Sequence, residues 1–424
     1  MKKFFDIEIL KNLKDKIDLP SMVGKVGNLF NPTPQKEKVL RREDFNAAGD
    51  TYYASVSVAY KIIERVLIII LAIFLVVSLV SNFSLITYDN FFYLLKDFSA
   101  AVDIETSTYN TLSYGSNTRH FFSLYRDGLV MANPSNVSAY TASGRRTLNI
   151  ASQFSSPCVV SSDKYFLVYD TAGTTFAIYN SFSRVFSETL DYPITDACFA
   201  SDGTFAITTR DLEHRSIVHI YDSKFQLKHS VFSPKYAFDI AMNSDHGKLA
   251  ITYLDPSGSG NTIVNMHSFT DMSNPEQIVI DGEFPYASGF LANGYFSVIT
   301  KSGIHIYDRN YEELDSSSYA NANISGFFIS EHGAAVSYTE NSKNYVVAFD
   351  GNGNCVFDEG SDTLVNDIGI YDGYLFLRTD LGVTRIDYRA SKHASLNSGQ
   401  GKMLIYDANT VLICGESKAE YIVF

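Results

Sequence analysis

The stretch "IVHIYDSKFQL" (Ile217–Leu227) returns in altered form as "GIHIYDRNYEEL" (Gly303–Leu314), 86 residues further along the chain. In both copies a run of β-branched and aromatic residues ends at an Asp and is followed by a polar turn. A phrase repeated in this way indicates a structural unit that is used several times, and each copy predicts the third strand of one unit. Weaker copies lie at Val137–Gly144, Phe176–Phe182 and Val346–Gly353.

A second repeated feature is a short polar turn after the first predicted strand of each unit. The successive turns lie 36 to 47 residues apart. Units of about 40 residues with four short strands are typical of β-propeller blades. The sequence therefore predicts an all-β propeller with eight four-stranded blades, or seven if one unit is miscounted. The turns are Asp127-Gly128, Asp163-Lys164, Asp202-Gly203, His246-Gly247, Asn293-Gly294, His332-Gly333, Asp372-Gly373 and Asn409-Thr410.

The predicted strands suit a sheet that is covered on both faces. The runs "LAITYL" (Leu249–Leu254) and "YLFLRT" (Tyr374–Thr379) are nearly continuous in apolar residues, as expected of blades packed between two neighbours. The last unit, from Lys402 to Phe424, has room for three strands. We therefore expect Asp103–Gly115 to supply its fourth strand, which closes the ring and leaves no free sheet edge.

A different composition precedes the propeller. The run Val66–Ile86 holds 21 residues without a formal charge, and a helix of that length reaches about 32 Å, the thickness of a bilayer core. About 65 residues precede it, which is too many for a cleaved secretory signal. The sequence predicts a juxtamembrane and transmembrane helix over residues 50–86.

The distribution of basic residues predicts the orientation of this helix. Six Lys or Arg residues precede the span within about 30 residues, whereas Lys96 is alone over a comparable stretch after it. By the positive-inside rule the N-terminus is expected to be cytoplasmic, which makes this a single-pass protein of the cell membrane. We predict a largely flexible cytoplasmic tail (1–49), an amphipathic linker helix (87–102) and an extracytoplasmic propeller (103–424). The preceding basic residues are Lys36, Lys38, Arg41, Arg42, Lys61 and Arg65.

Composition excludes some partners. The net charge of −13 argues against nucleic acid, because binding a phosphate backbone requires a clustered positive field. The four cysteines lie far apart among strand-forming residues without zinc-site spacing, so we interpret them as small buried apolar residues. Cys158 and Cys198 occupy similar places in successive units, which leaves open whether they form a disulfide.

Two glycine-rich stretches need an interpretation. "DPSGSGN" (Asp255–Asn261) lacks the glycine spacing of a phosphate-binding loop and predicts the end of a long hairpin. "DGNGNCVFDEG" (Asp350–Gly360) begins like a calcium loop, but Cys355 stands at the sixth position in place of Gly and Ser361 at the twelfth in place of Glu. A hairpin turn is the better interpretation.

The remaining titratable residues give no catalytic pattern. His219 and His305 recur at the same strand position, which favours packing. The acidic pairs Glu312-Glu313 and Asp358-Glu359 are expected in turns as solvated charge. The chain also lacks HExxH, GxSxG and P-loop motifs. We therefore predict no catalytic, metal-binding or cofactor-binding residue and no cofactor.

In layout the chain resembles a family of bacterial single-pass membrane proteins of unknown function. The likeness covers most of the chain from about Arg41 and includes "YYASVSVAYKIIERVLIIILAIFL" (Tyr52–Leu75). "VVAFDGNGNCVFDEG" (Val346–Gly360) also resembles a quinoprotein-type propeller repeat, although the chain has no Trp where such repeats carry a docking Trp. The Gly-His and Trp-Asp marks of WD repeats are missing as well. The resemblance implies an extracytoplasmic propeller and supplies no site residues.

These observations favour a noncatalytic, membrane-anchored binding or scaffold module for a protein or envelope component. The alternative is a membrane-tethered hydrolase or lyase that acts on envelope polymers, because propellers also carry such sites. A third possibility is a subunit of a secretion or envelope-assembly machine. Clustered acidic and His side chains at one mouth of the ring would favour the enzyme, whereas an exposed apolar patch would favour partner binding.

Overall fold

The computed structural model describes residues 60–74, 76–77, 111–115, 119–126, 128–243, 245, 247–255, 260–319 and 322–424. The chain divides into two compact units, Met1–Ile86 and Thr87–Phe424.

In the first unit, residues 60–74 and 76–77 are helical. Within the described residues, no helix combines the length and the apolar character that crossing a membrane requires. Much of the predicted span Val66–Ile86 lies outside those residues, as do the predicted tail (1–49) and linker helix (87–102). These three assignments stay predictions.

The second unit is built from antiparallel strands that follow one another along the chain. Blade 1 comprises β2 (Phe121–Tyr125), β3 (Gly128–Ala132), β4 (Asn136–Tyr140) and β5 (Arg146–Ala151). Blade 2 comprises β6 (Pro157–Ser161), β7 (Phe166–Asp170), β8 (Thr175–Tyr179) and β9 (Arg184–Thr189). Blade 3 comprises β10 (Ile194–Phe199), β11 (Phe205–Thr209), β12 (Ser216–Tyr221) and β13 (Leu227–Ser233). Blade 4 comprises β14 (Tyr236–Asn243), β15 (Lys248–Asp255), β16 (Asn261–Ser268) and β17 (Asp271–Ile280).

The remaining blades continue this pattern. Blade 5 comprises β18 (Pro285–Phe290), β19 (Phe296–Thr300), β20 (Gly303–Tyr307) and β21 (Glu313–Ser318). Blade 6 comprises β22 (Asn323–Ser330), β23 (Gly333–Glu340), β24 (Lys343–Asp350) and β25 (Cys355–Ser361). Blade 7 comprises β26 (Asp367–Tyr371), β27 (Tyr374–Thr379), β28 (Gly382–Asp387) and β29 (Lys392–Leu396). Blade 8 comprises β30 (Lys402–Ile405), β31 (Thr410–Cys414), β32 (Lys418–Val423) and β1 (Thr111–Ser113).

The described residues thus form an all-β propeller with eight four-stranded blades, which confirms the preferred prediction over the seven-bladed one. All eight predicted turns fall between the first and second strands of a blade. The repeated phrase lies in the third strands, as in β12 and β20. The first strands of neighbouring blades contact one another, for example β14 and β18, so the first strand of each blade is the innermost.

The closing strand also confirms the prediction within its described part. The segment Thr111–Ser113 pairs antiparallel with Lys418–Glu420 at the outer edge of blade 8. Leu112 is 5% exposed and packs with residues of both the last and the first blade, including Leu412 and Leu129. The N-terminal strand therefore joins the two ends of the ring.

The apolar core is divided into eight clusters, and each lies between two adjacent blades. Because every blade contributes to two clusters, its central strands must be apolar on both faces. The strand β15 confirms this expectation, since Leu249–Tyr253 are all buried. Burial of a large aliphatic side chain such as Leu249 or Ile251 contributes about 1.5–3 kcal/mol.

The Asp that ends the repeated phrase organises the turn between the third and fourth strands. Asp222 Oδ1 accepts the backbone N–H groups of Lys224 and Gln226, each at 2.9 Å. The residue between them in the chain, Phe225, has a φ of 64°. Asp308 and Asp350 accept the equivalent pairs of N–H groups. The Asp therefore supplies the acceptors that this tight turn requires, so the phrase is structural.

The aromatic residue before the Asp is a packing anchor. The Tyr221 ring stacks on Phe205 with centroids 4.6 Å apart and an interplanar angle of 3°. Tyr179 stacks on Phe166 in the same way at 5.3 Å. These pairs link the second and third strands of one blade at the interface with its neighbour. Tyr and Phe thus provide the large rings that this Trp-free chain needs between its blades.

Candidate functional site

The antiparallel order gives the ring two different faces. At one end of the ring, which we call the connection face, the first strand of each blade begins. The turns between second and third strands and the connections between blades lie at the same end. The opposite end carries the first-to-second and third-to-fourth turns, and we call it the turn face. Because β1 is a fourth strand, the chain enters the propeller at Thr111 on the turn face, and β32 also ends there.

Four consecutive blades carry an extra residue near the start of the first strand. In blades 3 to 6 the pairing of the first and second strands shifts at Thr195, Phe238, Tyr286 and Ser325. In the other four blades, the same two strands pair without a shift. A bulge turns a side chain away from the regular alternation. Consistent with this, Phe238 is 48% exposed and Tyr286 is 41% exposed.

Two exposed aromatic side chains, Phe238 and Tyr286, occupy bulge positions, and a third, Phe327, follows the bulge of blade 6 by two residues. The Tyr286 ring meets Phe327 of blade 6 edge to face, with centroids 6.3 Å apart. We call Phe238, Tyr286 and Phe327 the aromatic arc, because they come from the first strands of three consecutive blades. First strands are innermost, so the arc borders the central channel.

Other exposed apolar side chains share the connection face. Within the described propeller residues, those at or near this face outnumber those at the turn face by about three to one. The connection-face set is Tyr192, Leu212, Phe232, Tyr236, Phe238, Val279, Phe284, Tyr286, Phe327, Leu364, Leu381 and Leu396. The turn-face set is Val185, Leu227, Leu314 and Val423. An apolar concentration of this kind marks a contact surface.

Two carboxylates in the channel wall connect neighbouring blades. Asp239 Oδ2 accepts the backbone N–H of Ser288 at 2.6 Å and the Ser288 hydroxyl at 3.0 Å. Asp196 Oδ1 accepts the N–H of Ala197 at 2.8 Å, and its Oδ2 accepts the N–H of Ile240 at 3.3 Å. Each carboxylate thus holds the first strand of the blade that follows its own.

The protonation of these two groups is unusual. Burial, together with the nearby Asp239 carboxylate, raises the pKa of Asp196 to about 8. Burial also raises the pKa of Asp239, against the lowering effect of the Ser288 hydrogen bonds. Both side chains keep partial exposure to the channel. Asp367 binds the N–H of Met403 at 2.9 Å, so this use of a carboxylate recurs at the contact of blades 7 and 8.

The two repeated histidines have different surroundings. The His219 imidazole lies between the hydroxyls of Thr209 and Ser230, at 3.0 and 3.1 Å, and burial lowers its pKa. His305 instead lies between two carboxylates. Its Nε2 is 3.2 Å from Glu283 Oε2, and its Nδ1 is 2.9 Å from Glu313 Oε1. His305 is 9% exposed, so this three-residue hydrogen-bonded cluster fastens the connection before blade 5 to β20 and β21.

A cavity of about 1260 Å³ opens beside blades 8, 1 and 2, in the half of the ring without bulges. Its lining combines aromatic and aliphatic side chains with a few charged ones. His120 lies in the wall, and burial lowers its pKa, which favours the neutral ring. Its Nδ1 accepts from the Asn133 amide, because Asn133 Oδ1 already accepts two backbone N–H groups. The His120 proton is therefore on Nε2, a buried donor without an acceptor among the described residues.

The cysteines are free thiols, so the disulfide that the sequence left open between Cys158 and Cys198 is not formed. Cys414 is buried as predicted, and burial raises its pKa to about 12. Cys158 and Cys198 are partly buried. Cys355 is exposed, which corrects its assignment as buried, because it follows directly after the turn that Asp350 organises.

The acidic pairs are only partly in turns. Glu312 lies in the predicted turn, but Glu313 begins β21 and contacts His305. Asp358 and Glu359 lie in the outermost strand β25, although both are exposed, as solvated charge should be. The prediction that these two occupy a turn was wrong, because the turn ends before Cys355.

Both glycine-rich stretches are hairpins. The strands that flank "DPSGSGN" pair up to Asp255 and Asn261. Asp350 binds the N–H groups of Asn352 and Asn354, so its oxygens serve the turn between β24 and β25. In the described part of the chain, no group of three or more His, Cys, Asp or Glu side chains is arranged to hold a metal ion.

Sequence reasoning missed the bulges, the aromatic arc and the inter-blade carboxylates. Asp196 and Asp239 sit in similar places near the start of their first strands, and that spacing was a usable signal. A bulge leaves no such mark in the local sequence, because it depends on the register with the second strand.

Comparisons with known proteins agree with this architecture. Residues 102–424 match the sequence model described as a family of unknown function (DUF5711). No curated protein matches the chain. In fold the chain is similar to Sqt1 of Saccharomyces cerevisiae, with a TM-score of 0.56 and 11% identity over 74% of this chain and 97% of that one. It is also similar to BamB of Moraxella catarrhalis, with a TM-score of 0.50 and 9% identity over 74% and 98%. At these identities the likeness shows the fold alone.

Proposed function

We propose that this chain, which belongs to the family of unknown function DUF5711, is a noncatalytic binding or scaffold module that engages a protein partner through its connection face. The observation that carries the proposal is the concentration of exposed apolar side chains on that face, with the aromatic arc at the channel mouth. Aromatic anchors of this kind supply much of the binding energy in protein interfaces.

The acidic side chains described above support this proposal. Asp196 and Asp239 each accept hydrogen bonds from backbone N–H groups of the blade that follows. Glu283 and Glu313 are held by His305. Their oxygens thus already have structural partners, and the exposed surface that remains for a ligand is largely apolar.

We further propose that the propeller is extracytoplasmic and anchored by one helix at Val66–Ile86, as the uncharged run and the basic residues before it indicate. The exposed Cys355 is a built-in reporter. A membrane-impermeant thiol reagent is expected to label Cys355 in intact cells. In a Cys355→Ser background it is expected to miss Leu40→Cys. Labelling of Leu40→Cys alone would reverse the orientation.

The binding proposal is tested by photo-crosslinking in intact cells that make the full-length chain. A photoreactive amino acid at Tyr286 is compared with one at Leu227, which is similarly exposed but lies on the turn face. We expect a discrete protein adduct from position 286 that weakens in a Phe238→Ser variant. Equal adducts from both positions, or none from either, would contradict the proposal.

A second candidate, a hydrolase or lyase acting on envelope polymers, is favoured by one observation. A carboxyl group with a pKa of about 8 borders the channel at Asp196, and a raised pKa suits a general acid. Incubating the purified full-length chain with cell-wall polymer tests this candidate. Product release that is lost in Asp196→Asn, without a protein adduct at Tyr286, would establish the enzyme.

A further inference from the structure

The cavity beside blades 8, 1 and 2 has a charged rim and an apolar floor. Arg119, Lys402 and Glu416 line it and are exposed, so they lie at the rim. Phe121, Val159 and Tyr169 line it and are partly or fully buried. The charged and apolar parts are therefore arranged in layers.

The two cations of the rim are available to a ligand. Among the described residues, neither Arg119 nor Lys402 lies within ion-pair distance of a carboxylate. The Arg119 guanidinium lies over the Phe121 ring, 5.1 Å from its centroid, which restrains it beside the cavity. Lys402 is the first residue of β30, the innermost strand of blade 8, so its backbone is held by the sheet.

The backbone also keeps this cavity open at its edge. A Cβ atom added to Gly401 would lie 2.4 Å from the carbonyl oxygen of Cys414. Glycine therefore allows the connection between blades 7 and 8 to lie directly against β31.

The floor is neutral. Burial, with the neighbouring Asp196 carboxylate and Cys158 thiol, raises the pKa of the Tyr169 hydroxyl, so Tyr169 is not an anion. Cys414 also lines the cavity and stays protonated because burial raises its pKa. The site thus presents two cations and one carboxylate over a neutral surface that is partly apolar, which suits a monoanion with an apolar body.

From this arrangement we infer that the cavity binds the carboxy-terminal residue of a peptide, with its α-carboxylate between Arg119 and Lys402 and its apolar side chain on the floor. A terminal residue carries both groups on one Cα, and Arg119 likewise lies 5.1 Å from the ring centroid of Phe121, which lines the same cavity. Glu416 disfavours a second negative charge. The cavity exceeds the roughly 300–1,000 Å³ of ordinary small-molecule sites, which favours a peptide end over a small metabolite.

This inference rests on the proposed function, because it names the part of the protein partner that is recognised. The cavity opens on the connection face, where the aromatic arc lies. The residues upstream of the carboxylate would therefore run over the apolar face.

The test measures peptide binding to the full-length chain in detergent micelles by fluorescence anisotropy. The probe is a fluorescein-labelled pentapeptide pool, randomised at four positions and ending in Phe with a free carboxylate. The matched pools carry a carboxy-terminal amide, or Gly in place of the terminal Phe. We expect the amide pool and the Gly pool each to bind at least about tenfold more weakly than the acid pool. The amide pool loses a hydrogen-bonded charge pair, and the Gly pool loses a buried ring.

Variants locate the site. Arg119→Gln and Lys402→Gln are expected to weaken the acid pool by about tenfold and to leave the amide pool unchanged, whereas Arg119→Lys keeps most of the affinity. Lys301→Gln is the matched control, because Lys301 is an exposed cation on the connection face outside the cavity. Unfolding curves establish that each variant is folded.

Equal binding of the acid and amide pools, absence of binding by both, or an equal effect of Lys301→Gln would overturn the inference. Displacement of the pool by N-acetylphenylalanine at equal affinity would assign the site to free organic acids instead of peptide ends. The photo-adduct from Tyr286 distinguishes the two proposals. If peptide binding fails but the Tyr286 adduct persists in Arg119→Gln, only the inference about this cavity is overturned, and the proposed binding function stands.

Discussion

Asp196 and Asp239 hold the same position in the first strands of adjacent blades, and Asp196 accepts the N–H of the residue that directly follows Asp239. The two carboxylates therefore share one short part of the channel wall. Their mutual repulsion destabilises the fold, but both carboxylates are needed as acceptors for the first strand of the next blade.

Stability should depend on pH through this pair. The folded-state pKa of Asp196 is about 8, against about 3.9 in an unfolded chain, so between these values the folded protein binds more protons. The contribution is fully present below pH 3.9 and is lost as pH rises towards 8. Because water reaches both side chains, we expect a loss of about 1–2 kcal/mol in the free energy of unfolding between pH 5 and pH 8.

The variant Asp239→Asn isolates this effect. Its amide oxygen still accepts from Ser288, but the repulsion is gone, so urea denaturation should show greater stability at pH 8 and a smaller difference from pH 5. Asp163→Asn, on the turn face, should keep the wild-type difference. An unchanged pH difference in Asp239→Asn would mean that the pair does not titrate as argued.

The closing strand β1 should contribute more to the stability of the propeller than its length of three residues suggests. Leu112→Ala removes a buried side chain from the seam between blades 8 and 1, at an expected cost of about 2 kcal/mol in the free energy of unfolding. Thr111→Ala and Ser113→Ala change exposed residues of the same strand and should stay within about 0.5 kcal/mol. Equal effects at all three positions would show that Leu112 is not part of the core.

The turn of the repeated phrase gives a third prediction. Asp222→Ala removes the acceptor of two backbone N–H groups and should lower the free energy of unfolding by about 1–2 kcal/mol. Asp222→Asn keeps the acceptor and loses only the exposed ion pair with Lys228, so a change below about 1 kcal/mol is expected. Both variants are measured by thermal and urea denaturation. A larger loss of stability for Asp222→Asn than for Asp222→Ala would refute the role of the side-chain oxygen.

Replacing His305 should lower the free energy of unfolding more than replacing His219, although the two histidines share a strand position. His305→Leu removes a hydrogen-bonding partner from both Glu283 and Glu313, and we expect a cost of about 2–3 kcal/mol, as for hydrogen bonds to carboxylates. His219→Leu leaves two hydroxyls unpaired, for about 1–2 kcal/mol. Urea denaturation at pH 7 compares them, and a larger loss for His219→Leu would contradict the role given to the His305 cluster.

The aromatic arc should matter little for stability. Tyr286→Ser removes a side chain that is 41% exposed and should cost less than about 1 kcal/mol, whereas Phe205→Ala, fully buried, should cost about 3–5 kcal/mol. Both are measured by denaturation of the purified chain. A large loss for Tyr286→Ser would make the arc part of the core and weaken its assignment as a contact surface.

Much of the fold was predictable because its signals are local. Turn residues such as Asp202-Gly203 and the apolar run of β15 lie within one hairpin, and the closing strand follows from counting strands in blade 8. The contact of Glu313 with His305 and the exposure of Phe238 depend on register between strands, which local patterns do not encode. For the same reason Asp358 and Glu359 were assigned to a turn that ends a few residues earlier.

The seam of the ring has a mechanical consequence. The chain enters the propeller through β1, whose three residues, Thr111–Ser113, pair with a single neighbour, β32. Tension applied to the polypeptide ahead of Thr111 acts on this pair first. Blade 8 therefore takes up such a load before the other seven sheets do, and the three-residue pairing of β1 with β32 carries it at the outset.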